Sequence, residues 1–218
     1  MNIKTFRGGM DRNFSYLLWA DQADGAILVD PATDEGPVGA ALKDLGRELT
    51  HILVTHTHSD HLLCLDAWTT RLPEVTVVGH RKPVNPHLPC YRGLRDGGEV
   101  AAGGWRLQLV ETAGHYPDSV CWYAPAAGSL FTGDTVFVGR TGRTIGGLSD
   151  TGELYRSVYQ RILTLPPETV VYPGHDYGPT PTATIGELQQ GYSFFRCQNE
   201  AEFRSVMAHY ERTRQPGA

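Results

Sequence analysis

Apolar residues fall in short runs separated by turn residues, and the period inside each run predicts its element. FSYLLWA (14–20) and AILVD (26–30) read as an antiparallel pair of strands around the turn DQADG. PVGAALKDLG (37–46) has helical spacing and stops on Gly46. HILVT (51–55) is a buried strand, a helix is expected around 62–71, and VTVVGH (75–80) is another strand. RKPVNPHLPCYRGLRDGGE (81–99) is rich in Pro and Gly and predicts a long surface excursion. Strands follow at WRLQLVET, SVCWYA, SLFTGD and TVVYPGH, with the helix ELYRSVYQRILTL before the last. Residues 182–209 read as helical with a break near Gly191. Such an order predicts an α+β fold in which helices cover sheets. No repeat or linker divides it, so residues 1–218 are expected to form one domain with a short helical tail from about residue 180.

Composition narrows the function classes. The chain has 218 residues, 40% apolar and 20% charged, and a net charge of −5. That balance gives no general attraction to nucleic acid or to anionic membranes. No apolar run reaches the roughly 20 residues that span a bilayer, and MNIKTFRGGMDRNF lacks an apolar signal core. Cys64, Cys90, Cys121 and Cys197 have no paired spacing, which suits a reducing compartment. The expectation is a cytoplasmic protein acting on a small molecule, with its oligomeric state open.

The chemistry gathers where strands end. THTHSDH (55–61) puts His56, His58, Asp60 and His61 directly after a buried strand. His115 in TAGHY, Asp134 in FTGDT and His175 in PGHDYG also follow strands, each preceded by a glycine: Gly114, Gly133 and Gly174. Glycine permits tight turns and close backbone approach. Imidazole and carboxylate together suit zinc, or iron and manganese in other geometries. Seven ligands are too many for one tetrahedral ion and suit two ions sharing a carboxylate. Asp134 is the natural bridge, because a carboxylate offers two oxygens and a neutral imidazole one free lone pair. His51, His80, His87 and His209 fall outside this pattern.

THTHSDH, TAGHY, FTGDT and PGHDYG, in this order, resemble the metal motifs of the metallo-β-lactamase fold superfamily. The resemblance implies a four-layer αββα sandwich with two divalent metal ions, zinc above all, at one edge. It implies His56, His58 and His115 at one ion, Asp60, His61 and His175 at the other, and Asp134 between them. Asp30 in LVDP matches an aspartate at the end of an early strand, read either as an orienter of a ligand or as a turn residue before Pro31. FTGDTVF and PGHDYG look most like the glyoxalase II (hydroxyacylglutathione hydrolase) and persulfide dioxygenase branch. The first relationship implies a thioester hydrolase in which Asp60 also orients the attacking water. The second implies a mononuclear iron enzyme using His56, His115 and Asp134. Hydrolysis of a lactone or small ester is a further reading. Arg143 in GRTGRT (139–144) stands where the branch has Cys-Gly-Lys or Cys-Gly-Arg, a candidate for holding a substrate carboxylate. Tyr177 is a candidate for contacting substrate or leaving group, and equally a packing residue beside His175. The sequence departs from the branch at LLCLD, where a glycine pair is usual. Its tail is shorter than that of the glyoxalase II enzymes, and TATIGEL and CQNEAEFRSVM look more like the short tail of the persulfide dioxygenases, without their usual Asn-Pro.

Overall fold

The computed structural model describes residues 2–214. Its first half builds a six-stranded sheet from β1 (Asn2–Gly8), β2 (Asn13–Trp19), β3 (Gly25–Val29), β4 (Glu48–Leu53), β5 (Thr76–His80) and β6 (Tyr91–Leu94), side by side in that order. β1, β2 and β3 pair antiparallel, whereas β3 to β6 pair parallel. Parallel neighbours need a crossover, which α1 (Glu35–Leu45) and α2 (Leu65–Arg71) supply between β3, β4 and β5. Asp34 caps α1 by accepting from Gly36 N, and Gly46 ends it at a φ of 61°, where glycine pays no Cβ penalty.

The second half contributes β7 (Glu99–Ala102), β8 (Trp105–Glu111), β9 (Val120–Ala124), β10 (Ser129–Gly133), β13 (Val170–Pro173) and β14 (Ala183–Thr184) to a second sheet. A separate ribbon of β11 (Val136–Phe137) and β12 (Arg140–Thr141) branches off between β10 and β13. In space the second sheet runs β14-β13-β10-β9-β8-β7. α3 (Thr151–Ser157), α4 (Ile185–Gly191) and α5 (Glu200–Thr213) complete the described chain.

Strand periodicity explains the layering. Alternate residues point to opposite faces, so Phe14, Tyr16 and Leu18 of β2 and Ile27 and Val29 of β3 face inward. There they meet Trp105, Leu107 and Leu109 of β8, Trp122 of β9 and Phe131 of β10. The intervening residues Leu17, Ala26, Leu28 and Ile52 pack outward against Val38, Leu42 and Trp68 of α1 and α2. Cys121, Leu130 and Val171 do the same on the other side, beneath Leu154, Leu188 and Phe203 of α3, α4 and α5. The result is the expected αββα sandwich. No helix among the described residues is long and apolar enough to cross a membrane.

Two strands of the first sheet differ from the sequence reading. β1 was not expected; its backbone pairs with β2 along all seven residues, Asn2↔Trp19 through Gly8↔Asn13. The excursion after β5 is not wholly irregular, because Tyr91–Leu94 returns to the open edge of β5 as β6, and the Tyr91 hydroxyl donates to His80 O at 2.6 Å. The tail helix breaks where expected, with α4 ending on Gly191 and a 3-10 turn at Ser193–Phe195 leading toward α5. Residues 215–218 of the expected tail lie outside the described residues.

The inter-sheet core gives a direct check. Leu107 is fully buried between the sheets, so Leu107→Ala should cost about 2–5 kcal/mol through lost burial and the cavity left behind. Equilibrium denaturation reads this as a lower midpoint; a loss below about 1 kcal/mol would contradict a packed inter-sheet layer.

Candidate metal centre

Topology explains why residues so far apart in sequence meet. β3 and β4 are parallel and end together, delivering Asp30 and the 55–61 segment to one edge. β8 and β10 both pair antiparallel with β9, so they too end on a common side, as does β13, parallel to β10. His115, Asp134 and His175 follow those three ends. The two sheets meet here through Phe14 N, which donates to Gly174 O at 2.8 Å, and an isolated bridge joins Asn13 to His175.

All seven sequence-predicted ligands converge. His58 Nδ1 lies 2.9 Å from His56 Nε2 and 3.2 Å from His115 Nε2. His61 Nε2 lies 3.2 Å from His175 Nε2, and Asp60 Oδ2 is 3.3 Å from His175 Nε2 and 3.6 Å from His61 Nε2. Asp134 stands between these groups. Its Oδ1 is 3.1 Å from His61 Nε2 and 3.3 Å from His175 Nε2, while its Oδ2 is 3.5 Å from His115 Nε2. Three sets have donor atoms close enough to share an ion: His56–His58–His115, His56–His61–Asp134 and Asp60–His61–His175.

The glycines act as the sequence suggested. A Cβ on Gly174 would sit 2.6 Å from Asp134 Oδ1 and 2.7 Å from His61 Cε1. One on Gly133, whose φ is 48°, would overlap Thr55 Oγ1. A larger residue at 174 would push on Asp134 and His61 themselves, and one at 133 on Thr55, which supports His56.

Hydrogen bonds behind the rings fix which nitrogen each presents. His115 Nδ1 donates to Arg143 O at 2.9 Å and His175 Nδ1 to Asp11 O at 2.8 Å. His61 Nδ1 donates to Asp30 Oδ2 at 2.8 Å. His56 Nδ1 donates to Thr55 Oγ1 at 3.2 Å, and that hydroxyl donates to Asp30 Oδ2 at 2.7 Å. Each of these four rings therefore turns Nε2, with its lone pair, toward the centre. Of the two readings of Asp30, the orienter is the one the geometry supports. It is buried, adopts a φ of 49°, and supports His61 directly and His56 through Thr55.

Electrostatics divides the cluster. Burial, reinforced by the neighbouring imidazoles, pushes His56 and His58 below the ordinary histidine value. Burial also opposes charge on His175 and His61, yet Asp134 and its fellow carboxylates outweigh it. His175 is pushed up to about 9 and His61 is raised well above its usual value. Burial likewise resists ionisation of Asp60 and Asp134, but the facing histidines hold both carboxylates below their normal range. Asp134 Oδ1 is buried with no aligned hydrogen-bond donor. A cation would replace the protons that the carboxylates draw to His61 and His175 and would meet the buried Asp134 oxygen, so the residues fit the metals the fold implies.

Beside the cluster opens a cleft of about 580 Å³, bordered by Tyr116, Phe137, Arg140, Arg143, Tyr177 and Arg214. Arg143 is there, but its Nε and Nη2 donate to the two carboxylate oxygens of Glu211 on α5, at 2.7 and 2.9 Å. Tyr177 stacks on His175 with ring centroids 4.7 Å apart and planes within 3°, and its hydroxyl donates to Asp11 Oδ2. Burial and that bond raise the Tyr177 hydroxyl above the usual phenol range. Ile145 and Leu148, 63% and 57% exposed, rim the opening.

Three supporting residues were not anticipated. Asn13 donates to Asp60 Oδ2 at 2.9 Å. Buried Asp118 accepts from the backbone and hydroxyl of Thr57 and from Val84 N, pinning the loop between His56 and His58. Tyr116 packs on His58 with ring centroids 4.0 Å apart. Tyr116 and Asp118 flank the His115 motif as HYPDS, which was a signal within reach; Asn13 carried none.

Fold and site together define an enzyme family with a metal centre at the edge of a double sheet. The metallo-beta-lactamase superfamily pattern matches residues 8–175, and the chain belongs to that superfamily. It is 36% identical over 167 residues to the hydroxyacylglutathione hydrolase of Chromohalobacter salexigens, covering 76% of this chain and 62% of that one. It is 31% identical over 176 residues to human mitochondrial persulfide dioxygenase ETHE1, covering 80% and 68%. The crystal structure of ETHE1 from Myxococcus xanthus superposes with a TM-score of 0.83 at 30% identity, covering 99% of this chain and 92% of that one. The chain thus spans under two thirds of the hydroxyacylglutathione hydrolase and nearly all of the bacterial ETHE1.

Asp30 provides the test of this centre. Asp30→Asn keeps the size and tolerates the left-handed backbone, but turns an amide donor or a weaker acceptor toward His61 Nδ1. Metal affinity measured by chelator competition should fall about 10–100-fold; unchanged affinity would contradict the orienting role.

Proposed function

We propose that the protein is a metal-dependent hydrolase with a dinuclear centre that cleaves a thioester of the acylglutathione type. The observation that carries this reading is Asp134, whose Oδ1 faces His61 and His175 while Oδ2 faces His115. A carboxylate placed between two complete donor sets has a use in a two-ion site. Bound divalent ions would supply an acidified water as nucleophile and a Lewis acid for the carbonyl oxygen. In this reading His56, His58 and His115 hold one ion and Asp60, His61 and His175 the other.

The chain's own groups supply the rest. Asp60, anchored by Asn13, is placed to orient the attacking water as well as to ligate. Tyr116, Phe137 and Tyr177 narrow the cleft beside the ligands, and the exposed side chains of Ile145 and Leu148 can cover an apolar acyl group. The Tyr177 proton is committed to Asp11, so that side chain is not a ready acid for a leaving group. A thioester needs none: a thiol with a pKa of about 8.5 departs as thiolate. An alkoxide leaving from an ordinary ester would need that proton, which ranks esters below thioesters.

A second reading is a mononuclear iron dioxygenase acting on a glutathione persulfide. Its support is the near full-length match to the Myxococcus xanthus ETHE1 structure. His56, His115 and Asp134 would supply its two-histidine, one-carboxylate face. Asp60, His61 and His175 would then have no required task.

Paired assays separate the two. Zinc- or manganese-loaded protein should cleave S-lactoylglutathione under argon, and His61→Ala should lose most of that activity. Negligible cleavage by the unmutated protein, with rapid oxygen uptake on glutathione persulfide by iron-loaded His61→Ala, would replace the hydrolase by the dioxygenase.

A further inference from the structure

The cleft wall carries more positive charge than its own carboxylates answer. Arg12, Arg140, Arg143 and Arg214 all border it. Glu211 serves two of them, binding Arg143 through both oxygens and Arg214 Nε at 3.2 Å. Asp11, on the same rim, takes the Tyr177 hydroxyl. Arg140 is left with neither a carboxylate within salt-bridge distance nor a side-chain hydrogen-bond acceptor among the described residues, although it is partly buried. Burying a guanidinium costs free energy unless something meets its charge. Aromatic faces are its direct neighbours here, with the Asp134 charge acting from beyond contact: its Cζ lies 4.4 Å from the Tyr177 ring centroid, 4.9 Å from Phe137 and 5.2 Å from Tyr210. Ring faces stabilise a cation and leave its five N–H donors without acceptors.

The side chain is also held in place. Arg140 opens β12 and pairs with Phe137 across the turn at Gly139, whose φ of 99° only glycine accepts readily. Two residues on, Gly142 packs so close to the Asp134 backbone that a Cβ there would overlap Asp134 O. Tyr177 stacks on the His175 imidazole, and the Arg140 guanidinium lies against the same ring. Arg12 reaches the same ring, its Cζ 5.2 Å from the centroid. A fixed, partly desolvated fork beside the metal ligands, with a second guanidinium nearby, is pre-organised for an oxyanion.

We infer that Arg140, assisted by Arg12, is the specificity-determining residue that receives a carboxylate of the substrate remote from the bond being broken, and that Glu211 withholds Arg143 from that task. This deepens the thioester reading by stating what its substrate carries. It reassigns the carboxylate-holding role from the arginine that the sequence pattern suggested to one three residues earlier.

Binding tests the inference without turnover. The metal-loaded protein is titrated calorimetrically with S-propylglutathione and with its diethyl ester, in which both carboxylates are masked. The acid should bind about tenfold more tightly than the diester, the size of one charge-assisted hydrogen bond, and this preference should shrink as salt rises. Arg140→Met, which keeps an apolar side chain against the rings, should abolish the preference, whereas Arg143→Ala should retain it. Equal binding of acid and diester by the unmutated protein, a preference indifferent to salt, or loss of the preference in Arg143→Ala but not in Arg140→Met would overturn the inference. Failure of the thioesterase reading looks different: S-lactoylglutathione is not cleaved, yet the binding preference and its dependence on Arg140 persist.

Discussion

A carboxylate buried away from water is tolerated only where its charge is met. Asp134 is enclosed between two groups of imidazoles, with one oxygen turned to each and Oδ1 lacking any aligned donor. Much of the local architecture serves that placement. β10 delivers the residue, Gly133 lets the chain turn against Thr55, and Gly174 leaves room for its oxygen. The hydrogen bonds behind His56, His61, His115 and His175 all leave Nε2 facing inward. A local excess of negative charge and lone pairs is thus assembled by rigid strand ends rather than by a mobile loop.

The two sheets share this task unequally. The first brings Asp30 and the 55–61 segment through parallel strands whose crossovers are α1 and α2. The second brings His115, Asp134 and His175 through strands that point the same way because each is parallel to β10 or separated from it by one antiparallel neighbour. Asn13, at the opposite-running start of β2, reaches the same edge and ties Asp60 to it. The inter-sheet core of Trp105, Leu107, Trp122 and Phe131 keeps these ends in register. Packing far from the ligands therefore bears on their spacing.

The convergence of the seven histidine and aspartate side chains was legible in the sequence because its signals are local. Histidines two and three residues apart must crowd together, and a glycine before a ligand at a strand end announces close approach. The sandwich was legible from the period of apolar runs joined to the order of those motifs. What escaped has long-range causes. β1 mixes Lys4, Thr5 and Arg7 with Ile3 and Phe6 because it is an edge strand, so its pattern resembles a loop. β6 hides in a segment rich in Pro and Gly and forms because β5 offers a free edge. The fate of Arg143 depends on Glu211, 68 residues away, and the exposure of Arg140 to the cleft depends on rings from β11, α5 and the loop after β13. No spacing rule connects such pairs, so the arginine picked from the motif and the arginine left available by the fold differ.

The hydrolase and dioxygenase readings draw on the same residues of this chain, so the count of ions is the physical quantity that separates them. Anomalous diffraction above the zinc edge, from crystals grown with excess zinc, measures that count directly. The account predicts two peaks, one bounded by His56, His58 and His115 and one by Asp60, His61 and His175, with an Asp134 oxygen turned to each. A single peak confined to the His56 side, with Asp60 and His61 bound to nothing, would contradict it.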